Sequence, residues 1–164
     1  MLDYEQYLMQ LPAEVAFGYS SVSICRPSEL RERQVGFSIH PDGTNLCGDG
    51  DGDWLRNWLV IGFEGECGDP IFIDKAEPGY SVYTVGHGEG RWDPKPIAVS
   101  LDGLRAALAA VTKAAEGRET PVALEQRPIS AEERDAILAQ IQQHNPGIDL
   151  FFWALMMDCD LEHR

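Results

Sequence analysis

Three apolar segments in the middle of the chain are joined by connections that are too short to contain a helix. The segments are residues 58–63, 70–74 and 80–85. The connections between them cover residues 64–69 and 75–79. Adjacent parallel strands need a crossover of about a dozen residues or more, whereas antiparallel strands need only a turn. The three segments are therefore predicted to form an antiparallel β-meander.

Weaker strand and helix signals precede this meander. Residues 2–11 carry apolar side chains at helical spacing until Pro12 interrupts them. Residues 20–25 alternate as a short strand does, and Ser28 is the predicted cap of a short helix that follows. Residues 35–39 alternate again, and a turn signal ends that segment.

The C-terminal part of the chain is dominated by helical periodicity. Residues 96–99 are first predicted to add an edge strand, since a proline is tolerated at the start of one. Three helices are then predicted, starting at Ser100, at a capping box of Ser130 with Glu133, and at Asn145–Pro146. The polar residues 116–128 between the first two are expected to form a loop. An apolar stripe over residues 148–156 is expected to pack on the sheet, with a partner or dimer surface as the alternative.

Helices at both ends of a meander make an α+β fold. The chain has 164 residues, which fits one domain of ordinary size. With 44% hydrophobic residues it can build a core without a disulfide or a metal. We therefore predict a single domain over residues 1–164, with a central antiparallel β-meander flanked by N-terminal and C-terminal helices.

The chain is strongly acidic. Its 27 Asp and Glu against 13 Lys and Arg give a net charge of -14. Such a charge repels phosphate backbones and anionic membranes, and it accelerates encounter with a basic partner. Many bacterial proteins are equally acidic only because acidity keeps them soluble. With no basic-then-apolar leader and no apolar run near the roughly 20 residues of a membrane span, a cytoplasmic location is expected.

A run of alternating acids, Asp49, Asp51 and Asp53, raises the possibility of a calcium site. The EF-hand pattern fails, because Trp54 stands where it needs glycine and Val60 where it needs glutamate. A solvated acidic loop is the preferred interpretation. A metal-dependent binder or enzyme that uses this loop stays open as an alternative.

Other patterns for catalysis or cofactors are incomplete. His87-Gly88-Glu89 matches part of the zinc-deaminase motif, but Cys159 is the one cysteine after it and the second half of the motif is missing. Neither a phosphate-binding loop nor a dinucleotide fingerprint occurs among the glycines. The four cysteines contain no Cys-x-x-Cys pair, and no local signature pairs them with histidines. We therefore predict no catalytic residue, no metal and no cofactor.

Several short motifs follow one another in order along the chain. They are Ile24-Cys25-Arg26-Pro27-Ser28-Glu29-Leu30, Trp58-Leu59-Val60-Ile61-Gly62, Gly68-Asp69-Pro70-Ile71-Phe72-Ile73-Asp74, Val82-Tyr83, His87-Gly88, Trp92, and Ile97-Ala98 leading into Ser100-Leu101-Asp102-Gly103-Leu104. In this order they resemble the SUKH superfamily, which includes the yeast cell-wall-assembly regulator and many bacterial toxin-immunity proteins. The resemblance covers about residues 20–111 and leaves about residues 118–164 as a C-terminal helical extension.

Two segments depart from the family pattern. Phe17-Gly18-Tyr19 replaces a glycine-rich turn, and the Asp/Gly loop before Trp54 looks like an insertion. The residues that carry the resemblance are mainly structural: Gly62 is expected to permit a strand bulge, and Trp58, Phe72 and Tyr83 to supply buried surface.

The resemblance implies a role in binding rather than catalysis, since members of the family are known as non-catalytic protein-binding proteins. The expected partner is a cognate protein toxin with a basic surface, such as a nuclease, whose substrate an acidic protein would mimic. The expected contact residues are Asp49, Asp51, Asp53, Glu64, Glu66, Asp69, Glu89 and Trp92. A regulatory or scaffold module not linked to a toxin is the alternative function.

Overall fold

A six-stranded antiparallel sheet forms the centre of the computed structural model, which describes residues 2–86 and 90–157. The strands are β1 (Glu14–Phe17), β2 (Ser20–Ile24), β3 (Trp58–Glu64), β4 (Pro70–Asp74), β5 (Val82–Thr84) and β6 (Lys95–Ala98). They lie side by side in chain order, and each pairs antiparallel with the next. The predicted meander and its edge strand are confirmed. The first strand, β1, was not predicted.

Helices flank this sheet in the chain, so the predicted α+β class is confirmed. They are α1 (Tyr4–Gln10), α2 (Leu30–Arg33), α3 (Leu101–Ala115), α4 (Pro121–Gln126), α5 (Ala131–His144) and α6 (Phe151–Met156). Over the described ranges, none of these helices combines the length and the apolar character needed to cross a membrane.

One face of the sheet is covered by α3, the longest helix. Its buried residues, including Leu104, Leu108 and Val111, share a core with sheet residues such as Val22 and Ile71. The helix begins as predicted, because the Ser100 Oγ accepts a hydrogen bond from the Gly103 N–H at 3.0 Å. Helix α5 packs against the outside of α3.

The other face of the sheet carries an aromatic cluster. Its members are Phe37, Trp54, Trp58, Phe63, Phe72, Tyr83 and Trp92. Trp54 lies at its centre, with ring centroids 4.8 Å from Phe72, 5.3 Å from Trp58 and 5.4 Å from Trp92. Phe72 is fully buried as expected, whereas Trp58 and Tyr83 are only half-buried.

The long connection between α2 and β3 supplies part of this cluster and contains no extended strand. The alternation over residues 35–39 predicted one, but the segment folds into turns with two isolated bridges, Val35 to Ile39 and Ile39 to Asn45. The apolar Phe37 is used to reach the aromatic cluster, where its ring lies 5.2 Å from that of Trp54.

One predicted helix start and one predicted loop are corrected by the structure. The turn that leads into α2 starts after Arg26, whose backbone N–H donates to the Glu29 carboxylate at 2.7 Å, so Ser28 lies inside the turn and not at its cap. The predicted loop over residues 116–128 contains α4, whose first turn is capped by Thr120 accepting from the Ala123 N–H at 3.2 Å.

The last helix begins later than Asn145, because that residue is used in the core. Asn145 is fully buried. Its Nδ2 donates to the carbonyls of Gly103 and Ile141 at 3.1 and 3.0 Å, and its Oδ1 accepts from the Val99 N–H at 3.0 Å. The residue thus ties the backbone directly after β6 to α3 and α5, and α6 starts only at Phe151.

Gly62 lies at a bulge in β3, as expected. The register with β4 shifts between Val60 and Gly62. A Cβ at Gly62 would stand 2.2 Å from the Ser23 carbonyl oxygen on β2, so a side chain cannot fit between these strands.

Candidate functional site

A cleft of about 850 Å³ opens between α6 and one end of the sheet. Its floor is formed by Val22, Thr84 and Ile97 of the sheet face that also carries α3. Its wall is formed by residues of α6: Phe151, Phe152, Leu155 and Met156. Apolar side chains therefore form most of the inside of this cleft.

The orientation of α6 is set by Trp153. This side chain is fully buried, and its Nε1–H donates to the Ile97 carbonyl of β6 at 2.8 Å. Met156, one turn on, is also buried. With these two residues inward, Phe151 is 66% exposed and Leu155 is 38% exposed. The apolar stripe at the C-terminus is thus divided between the core and the surface.

Acidic side chains surround the mouth of the cleft. Glu64, Glu66 and Asp69 come from the β3–β4 turn, and Asp149 precedes α6. Among the described residues that line the cleft, Lys95 is the cation, and its Nζ lies 2.9 Å from the carboxylate of Asp93. The described part of the cleft lining therefore carries net negative charge.

Two of these acids also shape the local backbone. The Glu64 carboxylate accepts hydrogen bonds from the N–H groups of Glu66 and Cys67, the latter at 2.7 Å, and so closes the β3–β4 turn. The Asp149 carboxylate accepts from the Phe151 N–H at 2.9 Å, at the entrance to α6. Both carboxylates are therefore held in defined positions at the cleft.

The Asp49–Asp53 loop lies elsewhere. Asp49, Asp51 and Asp53 are exposed. The Asp53 carboxylate accepts from the Gly50 N–H at 2.8 Å, and Asp51 forms an ion pair with Arg91 at 3.1 Å. These three carboxylates form no metal-binding group, and neither does any other set of three His, Cys, Asp or Glu side chains within residues 2–86 and 90–157.

Trp92, the predicted aromatic contact, belongs to the aromatic cluster. It is half-buried, with its ring 5.4 Å from Trp54 and 5.8 Å from Phe37. Its backbone N–H donates to the Gly52 carbonyl at 2.9 Å and so attaches the Asp/Gly loop to the cluster. Glu89, together with His87 and Gly88, lies outside the described residues.

The predicted contact residues therefore fall into two groups. Glu64, Glu66 and Asp69 lie at the cleft, on the side of the sheet that carries α3. The Asp49–Asp53 loop and Trp92 lie with the aromatic cluster on the opposite face. The predicted contact residues did not include Asp149 or Phe151. A sequence signal existed for Phe151 only, since a partner or dimer surface was the alternative for the apolar stripe over residues 148–156.

No protein-family model, curated protein or solved structure matches this chain significantly. The function is therefore inferred from the chemistry of its own surface.

Proposed function

We propose that this chain is a non-catalytic immunity protein that acts in the cytoplasm, where it binds and neutralises a cognate bacterial toxin. The single observation that carries the proposal is the acidic β3–β4 turn at the mouth of an apolar cleft. Apolar surface framed by charge of one sign is a combination suited to protein recognition. The resemblance to the SUKH superfamily supports the same class of function.

The charge of the chain favours a basic partner. With a net charge of -14, the protein attracts a cationic surface at long range and speeds encounter. Toxins that cleave nucleic acids need cationic substrate-binding surfaces. An acidic protein that covers such a surface excludes the substrate by charge as well as by volume.

Co-expression tests the proposal directly. The product of the gene next to that of this protein is the candidate: its expression should kill cells when this protein is absent and should not kill them when the protein is co-expressed. Purified protein should also form a complex with the candidate in size-exclusion chromatography. If the wild-type protein neither protects the cells nor forms a complex, the proposal is wrong.

Charge-reversed variants then locate the contacts. Glu66→Lys with Asp69→Lys alters the cleft, and Asp49→Lys with Asp51→Lys alters the Asp/Gly loop. Glu116→Lys with Asp135→Lys is the matched control, because both residues are exposed and the change in net charge is the same. We expect the control to protect fully and at least one test pair to fail. Equal protection by all three would exclude both acidic groups as contacts.

A further inference from the structure

The wall of the cleft leaves apolar side chains of α6 exposed to solvent. Phe151 is 66% exposed, although Trp153 two residues later is fully buried and anchored to Ile97 by a 2.8 Å hydrogen bond. The anchor holds α6 in one orientation, and in that orientation Phe151 lies at the surface beside the cleft. Exposed apolar groups that adjoin one another mark binding sites more often than isolated ones do.

The charges around the cleft select the partner chemistry. The carboxylates of Glu64 and Asp149 are held in place because they accept hydrogen bonds from backbone N–H groups. Glu66 and Asp69 line the same cleft. The one cation in the described lining, Lys95, is paired with Asp93 at 2.9 Å. An anionic ligand would be repelled here, whereas a ligand that carries cationic groups beside apolar ones would match both features of the described lining.

The size of the cleft suits a few side chains. At about 850 Å³ it lies within the range of roughly 300–1,000 Å³ that encloses a drug-sized ligand. A segment of protein inserts apolar side chains at intervals and keeps its charges at the margin, as an amphipathic helix in a groove does.

We infer that this cleft is the docking site for a basic, amphipathic segment of a partner protein. In this arrangement apolar side chains of the segment contact Phe151 and Leu155, and its Lys or Arg side chains pair with Glu64, Glu66, Asp69 and Asp149. The inference rests on the proposed function and specifies where and how the partner binds.

A synthetic probe tests this without knowledge of the partner. The probe is a short fluorescein-labelled amphipathic peptide of Leu and Lys, measured by fluorescence anisotropy against the full-length protein. Two comparison peptides replace every Lys by Glu or every Leu by Ser. We expect the Leu and Lys peptide to bind and both comparison peptides to bind at least about tenfold more weakly, since each lacks one half of the complementarity.

Matched variants assign the binding to the cleft. Phe151→Asp should lower the affinity for the Leu and Lys peptide about tenfold or more, because the substitution places a charge in the apolar wall. Met9→Asp is the control, since Met9 is similarly exposed, at 72%, and does not line the cleft. Thermal unfolding of both variants verifies that each is folded. Absence of binding by the wild-type protein, or equal binding by the two variants, would overturn the inference.

The same variants separate this inference from the proposed function. If Phe151→Asp protects cells from the toxin as well as the wild type does, the docking site is wrong and the immunity function stands. If the wild type gives no protection but the peptide binds and Phe151→Asp abolishes that binding, the docking site stands and the immunity function is wrong.

Discussion

The side-chain amide of Gln34 bonds to the backbone of Val60 as a neighbouring strand would. The Gln34 Nε2 donates to the Val60 carbonyl at 2.9 Å, and its Oε1 accepts from the Val60 N–H at 2.9 Å. Strand β2 pairs with β3 only as far as Gly62, and after the bond from the Cys25 N–H to the Ile61 carbonyl no strand of the described residues lies beside this end of β3 on that side. A buried side chain, 5% exposed, supplies the missing bonds.

Replacing Gln34 should destabilise the protein markedly. Gln34→Leu keeps a similar volume but leaves the buried N–H and C=O of Val60 without partners, each at a cost of about 1–3 kcal/mol. We therefore expect urea denaturation to show a loss of about 2–4 kcal/mol in the free energy of unfolding. Gln143→Leu, at an exposed position of α5, is the control and should change stability by less than about 0.5 kcal/mol. Equal effects of the two substitutions would contradict this role of Gln34.

The ion pair between Arg118 and Glu133 predicts a pH dependence of stability. Arg118 is buried, and its Nη1 and Nη2 donate to the Glu133 carboxylate at 2.9 and 3.0 Å. These hydrogen bonds lower the pKa of Glu133 below its ordinary value. A carboxyl with a lowered folded-state pKa stabilises the fold above the unfolded pKa, which is about 4.3 for Glu, and loses that contribution as the pH falls through the folded pKa.

Glu133→Gln measures this contribution. At pH 7 the variant should unfold at a lower urea concentration than the wild type, and the difference should shrink as the pH falls below about 4. Glu132→Gln, at the exposed neighbouring position, serves as the control. A difference between Glu133→Gln and wild type that stays constant from pH 7 to about pH 3 would show that the charge of Glu133 does not contribute.

Gly62 should not tolerate alanine. The added Cβ would stand 2.2 Å from the Ser23 carbonyl oxygen, so β2 and β3 would have to separate. We expect Gly62→Ala to lower the free energy of unfolding by about 1–3 kcal/mol. Gly86→Ala is the matched control because a Cβ there meets none of the described residues within 4 Å, and it should be neutral or slightly stabilising. If Gly62→Ala left the free energy of unfolding unchanged, the backbone at the bulge would have to make room for a Cβ at no cost.

Cysteine reactivity should differ between Cys25 and Cys67. Burial raises the pKa of the Cys25 thiol to about 11, so near neutral pH almost none of it is thiolate. Cys67 is exposed in the β3–β4 turn. We expect maleimide to label Cys67 within minutes in the native protein and Cys25 only after denaturation, as read by peptide mass spectrometry. Labelling of Cys25 at the rate of Cys67 would contradict the buried position.

The central sheet could be predicted because its determinants are local. Connections such as residues 64–69 leave antiparallel pairing as the only arrangement, whatever lies on either face. The strand β1 was missed because its four residues are too few to establish a period. The strand predicted around Phe37 was wrong because the side chain of Phe37 packs in the aromatic cluster and does not belong to a strand.

The cleft could not be predicted because a distant contact creates it. Apolar residues occupy nearly every position from Phe151 to Met156, so periodicity does not indicate which face turns inward. The helical spacing that predicted the stripe used Ile148, Phe151, Phe152, Leu155 and Met156 and not Trp153, yet the bond from Trp153 to the Ile97 carbonyl decides the orientation of α6. Similarly, Glu133 fits a local capping box but bonds to Arg118, fifteen positions earlier in the chain.

The outer edge of β6 offers little to an incoming strand. Pro96 has no N–H, the Ile97 carbonyl accepts from Trp153, and the Val99 N–H donates to Asn145. Unsatisfied edge groups are the template on which proteins add strands from other copies and aggregate. By bonding to these groups, Trp153 and Asn145 protect this margin of the sheet against the addition of a strand from another copy of the chain.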